Sequence, residues 1–294
     1  MNFPGGKNPI PCPAMGGMTI SGTSDRTRGS QAPILIVSAM DSSGAAGMAL
    51  DLRVIDSMGL AVRCALTAVT VQGDEGVLDA AFLPPGIIRA TILTACTDAP
   101  GIAGVKVGML ADAPTAMAVA QSLESLAESK IPIVLDPVIR STSGSPLIDD
   151  EGLDILLNRL LPMCFITTPN REEALTLARR LGKKTENEEE AAALLLDLGV
   201  GAVLVTGGEG AGKSCIDTLY LPSGDPVSYR HPRAHGQVPR GTGCALSSAL
   251  AAHAAAGYSL EKAVRSSIDL VAGFIERSTI TGNQRLLFPE GRPD

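Results

Sequence analysis

The stretch GAVLVTGGEGAGKSCIDTLYL, residues 201–221, contains at 207–214 a full match to the phosphate-cradling pattern G-x-x-x-x-G-K-[ST]. The residues just after the match decide the fold. A phosphate loop of that kind opens a helix at its Lys-Ser, and the helix N-terminus supplies amides and positive dipole to the anion. Here AVLVT reads as the preceding strand, but Cys215 to Leu221 alternates and is closed by Pro222, so it reads as a second strand. With PSGD (222–225) and PVSYRH (226–231) behind it, the segment predicts a β-hairpin. Lys213 then belongs to a mobile hairpin loop, and because Gly and Lys are common in such loops the eight matching letters are only a modest signal.

Upstream, the strand signal recurs. Val- and Ile-rich runs at 33–39, 62–71, 104–110, 131–136, 164–168 and 201–207 alternate with helical periods at 45–58, 114–129, 151–160, 171–181 and 187–198. Strands that are apolar throughout are buried on both faces, as in a parallel sheet covered by helices. Ala-rich helices at 243–256 and 259–278 close the chain. The expectation is a doubly wound α/β sandwich over residues 33–294, one domain without internal repeat. Residues 1–32, rich in Gly, Pro, Ser and Thr, read as a flexible extension and lack the apolar core and cleavage pattern of a secretory signal.

Composition narrows the function classes. Hydrophobic residues make up 45% of the 294, but aromatics only 3% with no Trp, so Ala, Val, Leu and Ile must fill the core. A net charge of −7 argues against a nucleic-acid surface, which needs a basic stripe. No run of eighteen apolar residues suggests a membrane span. The six cysteines are scattered without C-x-x-C or ligand-like His spacing, which fits a reducing cytoplasm better than a disulfide framework or a zinc site.

Several strand ends carry candidate chemistry. Gly241-Thr242-Gly243-Cys244 opens the helix ALSSALAAHAAA, where successive amides can converge on an anion. The alternative is a plain glycine-rich start with Thr242 as the cap. Cys244 in the first turn would have its thiolate favoured by the dipole and could take a proton from a substrate hydroxyl. Asp136 ends IPIVLD, and Asn170 and Glu173 follow CFITTP as N-x-x-E; together they could hold Mg²⁺ largely through waters, or each could serve only its own turn or capping box. Asp41, Gly44 and Ala46 lie in the small-residue loop after the first strand, and Asp51 in the helix behind it; Asp41 or Asp51 could bind polar substrate groups. His231, His235 and His253 have no metal spacing and read as surface or packing residues.

In this order the motifs MDSSGAAGMALDL (40–52), LTAVTVQ (66–72), VKVGML (105–110), VLDPVIRSTSGSPLI (134–148), ITTPNREEA (166–174), VLVTGG (203–208) and GTGCALSSALAA (241–252) resemble the hydroxymethylpyrimidine/phosphomethylpyrimidine kinases of thiamin biosynthesis, in the ribokinase-like superfamily. The resemblance implies a three-layer sandwich, ATP and Mg²⁺ as cofactors, a small pyrimidine substrate and a homodimer. It places Gln72 on the pyrimidine, with Asp51, Met109 and Val138 as further walls or contacts of that pocket. Asp136 and Glu173 become the magnesium and phosphate-organising carboxylates, and Asn170, Thr206 and Gly208 the nucleotide side. Gly241 to Cys244 becomes the anion hole, with Cys244 in the place of the base. Many relatives carry Lys at the position of Thr206 and His at that of Arg240, so Arg240 and Lys213 are the candidates for the missing charge. The rival expectations are a pyridoxine/pyridoxal kinase and a non-catalytic pyrimidine sensor.

Overall fold

Six apolar runs that alternate with helices bury both their faces by lining up in parallel between two helical layers. A computed structural model of the protein, which describes residues 32–73, 76–127, 129–141, 144–208, 214–234, 239–281 and 284–287, has that arrangement. The expected extension, Lys213 and His235 lie outside the described residues, apart from residue 32. The elements in chain order are β1 (Ile34–Asp41), α1 (Gly47–Ser57), β2 (Val62–Gly73), β3 (Gly76–Phe82), α2 (Pro85–Thr97), β4 (Gly104–Val107) and α3 (Ala113–Ala127). There follow β5 (Ile133–Leu135), α4 (Asp150–Ile155), β6 (Ile166–Thr167), α5 (Arg171–Arg180), α6 (Glu188–Asp197) and β7 (Val203–Val205). The chain continues with β8 (Ser214–Tyr220), β9 (Val227–Pro232), α7 (Thr242–Ala255), α8 (Leu260–Glu276), β10 (Thr279–Thr281) and β11 (Gln284–Leu286).

The main sheet has nine strands in the order β3-β2-β1-β4-β5-β6-β7-β8-β9. Its six central strands are parallel, β3 runs antiparallel on one edge, and the hairpin β8–β9 runs antiparallel on the other. Alternation along each strand splits the core in two. Leu35, Val37, Val105, Val107 and Leu135 pack under α2 to α6. Ile34, Ile36, Val134, Ile166 and Leu204 pack under α1, α7 and α8. The doubly wound expectation is met, and with it the hairpin reading of residues 215–231, which the structure forms as β8 and β9.

Four elements differ from the sequence reading. The strand β3 and the helix α2 together occupy 76–97, where the sequence pattern predicts neither, and the strands β10 and β11 pair after the helix with which the sequence reading closed the chain. GVLDAAF is short and half-exposed, so it lacks the continuous apolar run of the buried strands. The α2 sequence PGIIRATILTACT mixes β-branched residues with a weak amphipathic pattern; only Ile88, Ile92 and Ala95 are buried, at helical spacing.

Candidate active site

All six parallel strands end at one edge of the sheet, and the winding reverses at β1, which has β2 on one side and β4 on the other. Open α/β sheets bind ligands outside the strand carboxyl ends at such a switch point. A cleft of ≈ 1070 Å³ opens there. That is just above the roughly 300–1000 Å³ typical of small-molecule sites, enough for two ligands side by side.

At its centre the N-termini of α1 and α7 meet. Gly241, at φ 82, has no room for a side chain: a Cβ would lie 2.2 Å from the Ala45 carbonyl oxygen and 2.4 Å from Leu50 Cδ2. Gly47, at φ 56, is as tightly held, with a Cβ position 2.4 Å from the Ala39 carbonyl oxygen. No side chain caps either helix. Thr242 is the first helical residue of α7 rather than its cap, so the first amides of the helix are left to the cleft that Gly241, Thr242, Gly243 and Cys244 line.

Cys244 corrects one expectation. Burial pushes its thiol up to about 12, with Asp136 and Asp51 adding to the rise and only Lys106 and the Gly47 amide working against it. At neutral pH it is a thiol, not a dipole-stabilised thiolate; the acidic neighbours and burial outweigh the helix. Asp136 lies beside it, with its Oδ2 accepting from Ser247 Oγ at 3.1 Å. Burial raises the Asp136 carboxyl, opposed first by Lys106, while Asp51 adds to the rise.

Asp51 is the second correction. It does not reach the cleft: fully buried, its Oδ2 accepts from Lys106 Nζ at 2.8 Å and its Oδ1 from Ser248 Oγ at 2.8 Å. Burial works against the Lys106 ammonium, but Asp51, Cys244 and Asp136 together hold its pKa above the usual lysine value. Lys106 was missed by the sequence reading, although a lone charge inside the apolar run GVKVGML signals a buried partner. Gly108 next to it is required, since a Cβ would lie 2.6 Å from both Lys106 Nζ and Ser38 Oγ.

Toward β6 and β7, Asn170 and Glu173 combine a place on the cleft with a capping role in their own helix. They line the cleft, and they form a capping box at the start of α5, Glu173 N donating to Asn170 Oδ1 at 2.8 Å and Asn170 N to Glu173 Oε2 at 2.9 Å. Thr206 N donates to the Pro169 carbonyl at 2.9 Å and so locks β7 beside them. Thr206, Gly208, Thr242 and Gly243 also border a small apolar recess between β8–β9 and α7–α8, lined by Leu246, Ile268 and Val271. His231, expected at the surface or in packing, borders this recess with Nε2 3.2 Å from Asp217 Oδ2. Among the described residues no three His, Cys, Asp or Glu side chains converge to cage a metal. Mg²⁺ keeps most of its waters and takes one or two carboxylates plus phosphates. Asp136 and Glu173, both on the cleft, fit that sparse role.

Toward β1 and β2, the cleft is lined by Asp41, Ala46, Gln72, Met109 and Val138. Gly44 is not on the lining; its positive φ closes the turn in which its amide donates to the Asp41 carbonyl at 3.0 Å. Arg240 is the third correction. Expected on the nucleotide side, it lies at this opposite end, with Nη2 3.7 Å from Asp41 Oδ2 and Nη1 3.5 Å from the Gly73 carbonyl. The cation bordering both the cleft and the recess is Arg233, which bonds the Gly208 carbonyl and which the sequence reading passed over.

Thr168 was also missed. It is 5% exposed, lines the cleft between Asp136 and Asn170, and its hydroxyl has no hydrogen-bond partner among the described residues. An unpartnered buried hydroxyl is destabilising. T168V is therefore expected to leave the melting temperature of the ligand-free protein unchanged or raised by a few degrees, read by thermal unfolding.

Residues 41–287 match the family model described as phosphomethylpyrimidine kinase. The chain belongs to that family. It is 34% identical over 248 residues to the hydroxymethylpyrimidine/phosphomethylpyrimidine kinase of Aquifex aeolicus, covering 84% of this chain and 96% of that protein. The crystal structure of a phosphomethylpyrimidine kinase from Clostridium difficile superposes with a TM-score of 0.69 at 29% identity, over 83% of this chain and 99% of that one. A Bacillus subtilis pyridoxal kinase solved as its ADP complex shares the fold, with a TM-score of 0.77 at 24% identity over 88% of this chain and 97% of that one.

Proposed function

We propose that the protein uses ATP to phosphorylate the hydroxymethyl group of 4-amino-5-hydroxymethyl-2-methylpyrimidine in thiamin biosynthesis, with the resulting monophosphate as a second substrate to be tested. The observation that carries this is the meeting of two uncapped helix N-termini at Cys244, midway along a cleft with room for two ligands. A flat heterocycle fits the end walled by Gln72, Met109 and Val138. The nucleotide base fits the apolar recess beyond Thr206, with its phosphates running past Arg233 toward the start of α7. Asp136 and Glu173 are the residues that would hold Mg²⁺, which neutralises phosphate charge when bound.

The chain's own groups then divide the work. The Gly241 to Cys244 amides stabilise charge on the transferring phosphoryl group, and the walls hold the hydroxymethyl oxygen in line with it. Cys244 receives the hydroxyl proton as the O–P bond forms, while its own S–H proton passes to Asp136. The thiol begins protonated, so it acts as a relay rather than a resting base. Asp136 has to be ionised for this step, so kcat falls on the acid side as its carboxylate is protonated. In the same reading residues 33–294 act as one kinase domain behind an extension over 1–32. The protein works in the cytoplasm as a homodimer. What supports the pairing is the exposed apolar side chains of the β2–β3 edge, Val69 and Val71 on one face of the sheet and Leu78 and Phe82 on the other.

The test is ATP-dependent turnover of the pyrimidine, its monophosphate and pyridoxal by wild type and C244A. Turnover of the pyrimidine is expected, with kcat in the variant lower by about 10²–10⁴-fold. Turnover of pyridoxal alone would make the protein a pyridoxal kinase. Binding of the pyrimidine without any turnover would make it a sensor.

A further inference from the structure

We propose that Asp41, balanced by Arg240, reads the exocyclic amine of the pyrimidine ring and so decides which flat hydroxymethyl heterocycle enters the cleft; this rests on the kinase reading above. The two oxygens of Asp41 are treated differently. Oδ1 accepts from the amide and the hydroxyl of Ser43, both at 2.8 Å, which holds the carboxylate in one orientation. Oδ2 is buried and has no hydrogen-bond partner among the described residues. The Arg240 guanidinium lies 3.7 Å from it, close enough to offset its charge and too far to occupy its lone pairs. Asp41 is 5% exposed and lines the cleft beside Gln72, so an acceptor without a donor waits at the substrate end of the site.

An ionised carboxylate only accepts hydrogen bonds, whereas a carboxamide also donates. Side by side they match a ring edge on which an amine sits next to an aromatic nitrogen: the amine donates to Asp41, and Gln72 donates to the ring nitrogen. Pyridoxal carries a carbonyl next to its hydroxymethyl group, where this pyrimidine carries the amine. It would set one acceptor against another and leave Oδ2 unpaired. Sites built to hydrogen-bond a particular group reject analogues lacking it far more strongly than apolar pockets reject a change of size.

The experiment compares the amino substrate with 5-hydroxymethyl-2-methylpyrimidine, which lacks only the amine, on wild type and D41N. The substitution keeps an oxygen for Ser43 and turns the unpaired acceptor into a donor. On wild type, kcat/KM is expected to be at least about tenfold lower for the analogue. In D41N the amino substrate is expected to lose about the same factor, the analogue less than about threefold, and KM for ATP to stay unchanged. Equal turnover of the two substrates by wild type would overturn the proposal, and that arm needs no variant. A loss in D41N that is the same for both substrates would assign Asp41 to the shape of its loop and also overturn it. Failure of wild type to phosphorylate either pyrimidine, despite binding ATP, would remove the kinase reading itself and the proposal with it.

Discussion

Lys106→Met is expected to destabilise the protein by about 3–5 kcal/mol, the usual loss when one member of a buried ion pair is removed. Both partners are fully buried, so solvent does not screen the pair. Met preserves most of the side-chain volume, and the loss therefore reports the charge left on Asp51 rather than a cavity. The pair joins β4 to α1, and Ser248 on α7 bonds the other Asp51 oxygen, so three elements under the cleft depend on it. Urea unfolding of K106M, D51N and the double variant checks the account. The double variant is expected to be clearly more stable than the sum of the single losses predicts, because it leaves neither member of the pair charged without the other. Additive losses would mean that the two residues do not act as a pair.

Gly241→Ala is expected to lower kcat by at least about a hundredfold, the scale of effect of a 1 Å misplacement in an active site. The new Cβ meets a backbone oxygen at 2.2 Å, and neither that carbonyl nor the α7 backbone can yield as a flexible side chain would. The left-handed conformation adds a further penalty of about 1 kcal/mol for alanine. Relief comes only by sliding α7 away from the loop before α1, which moves the amides of residues 241–244 off the transferring group. Gly243→Ala is the control: nothing lies within 4 Å of its Cβ position, so the ligand-free protein is expected to keep its stability. Steady-state kinetics and thermal unfolding of the two variants separate displaced amides from a general weakening of the fold.

Much of this was legible in the sequence, for reasons that differ by residue. The parallel core could be read because β1, β5 and β7 carry apolar residues on both faces, a local property of each run. The hairpin could be read because Cys215 to Leu221 alternates. Asp136, Asn170 and Glu173 were found because each stands at a strand end, where the chain order itself marks the cleft. The misreadings all concern distance across the fold. Asp51 sits in a helix that lines the cleft at its first turn, but it is four residues further on, and the residue it meets is Lys106 on a strand several elements later. Arg240 precedes the anion loop, yet its side chain turns back to Asp41. The Cys244 thiol stays protonated because it is buried, with Asp136 and Asp51 arriving from elsewhere in the chain to add to the rise, and a helix-dipole argument contains none of this.

The contact between Gly241 and the Ala45 carbonyl has a consequence for how the protein is made. The two residues are about 200 positions apart, so at roughly 5–20 residues per second the ribosome delivers the second about 10–40 s after the first. By the end of that interval the strands β1, β5, β6 and β7 have been synthesised, while Ile34, Ile36, Val134, Ile166 and Leu204 still lack the α7 and α8 cover that they have in the finished protein. The nascent chain thus carries an open apolar face until its last helices emerge. The site is completed in the same event that closes that face, so a chain stopped before α7 lacks the amides of residues 241–244 and leaves the Ile34 side of its core without the α7 and α8 cover.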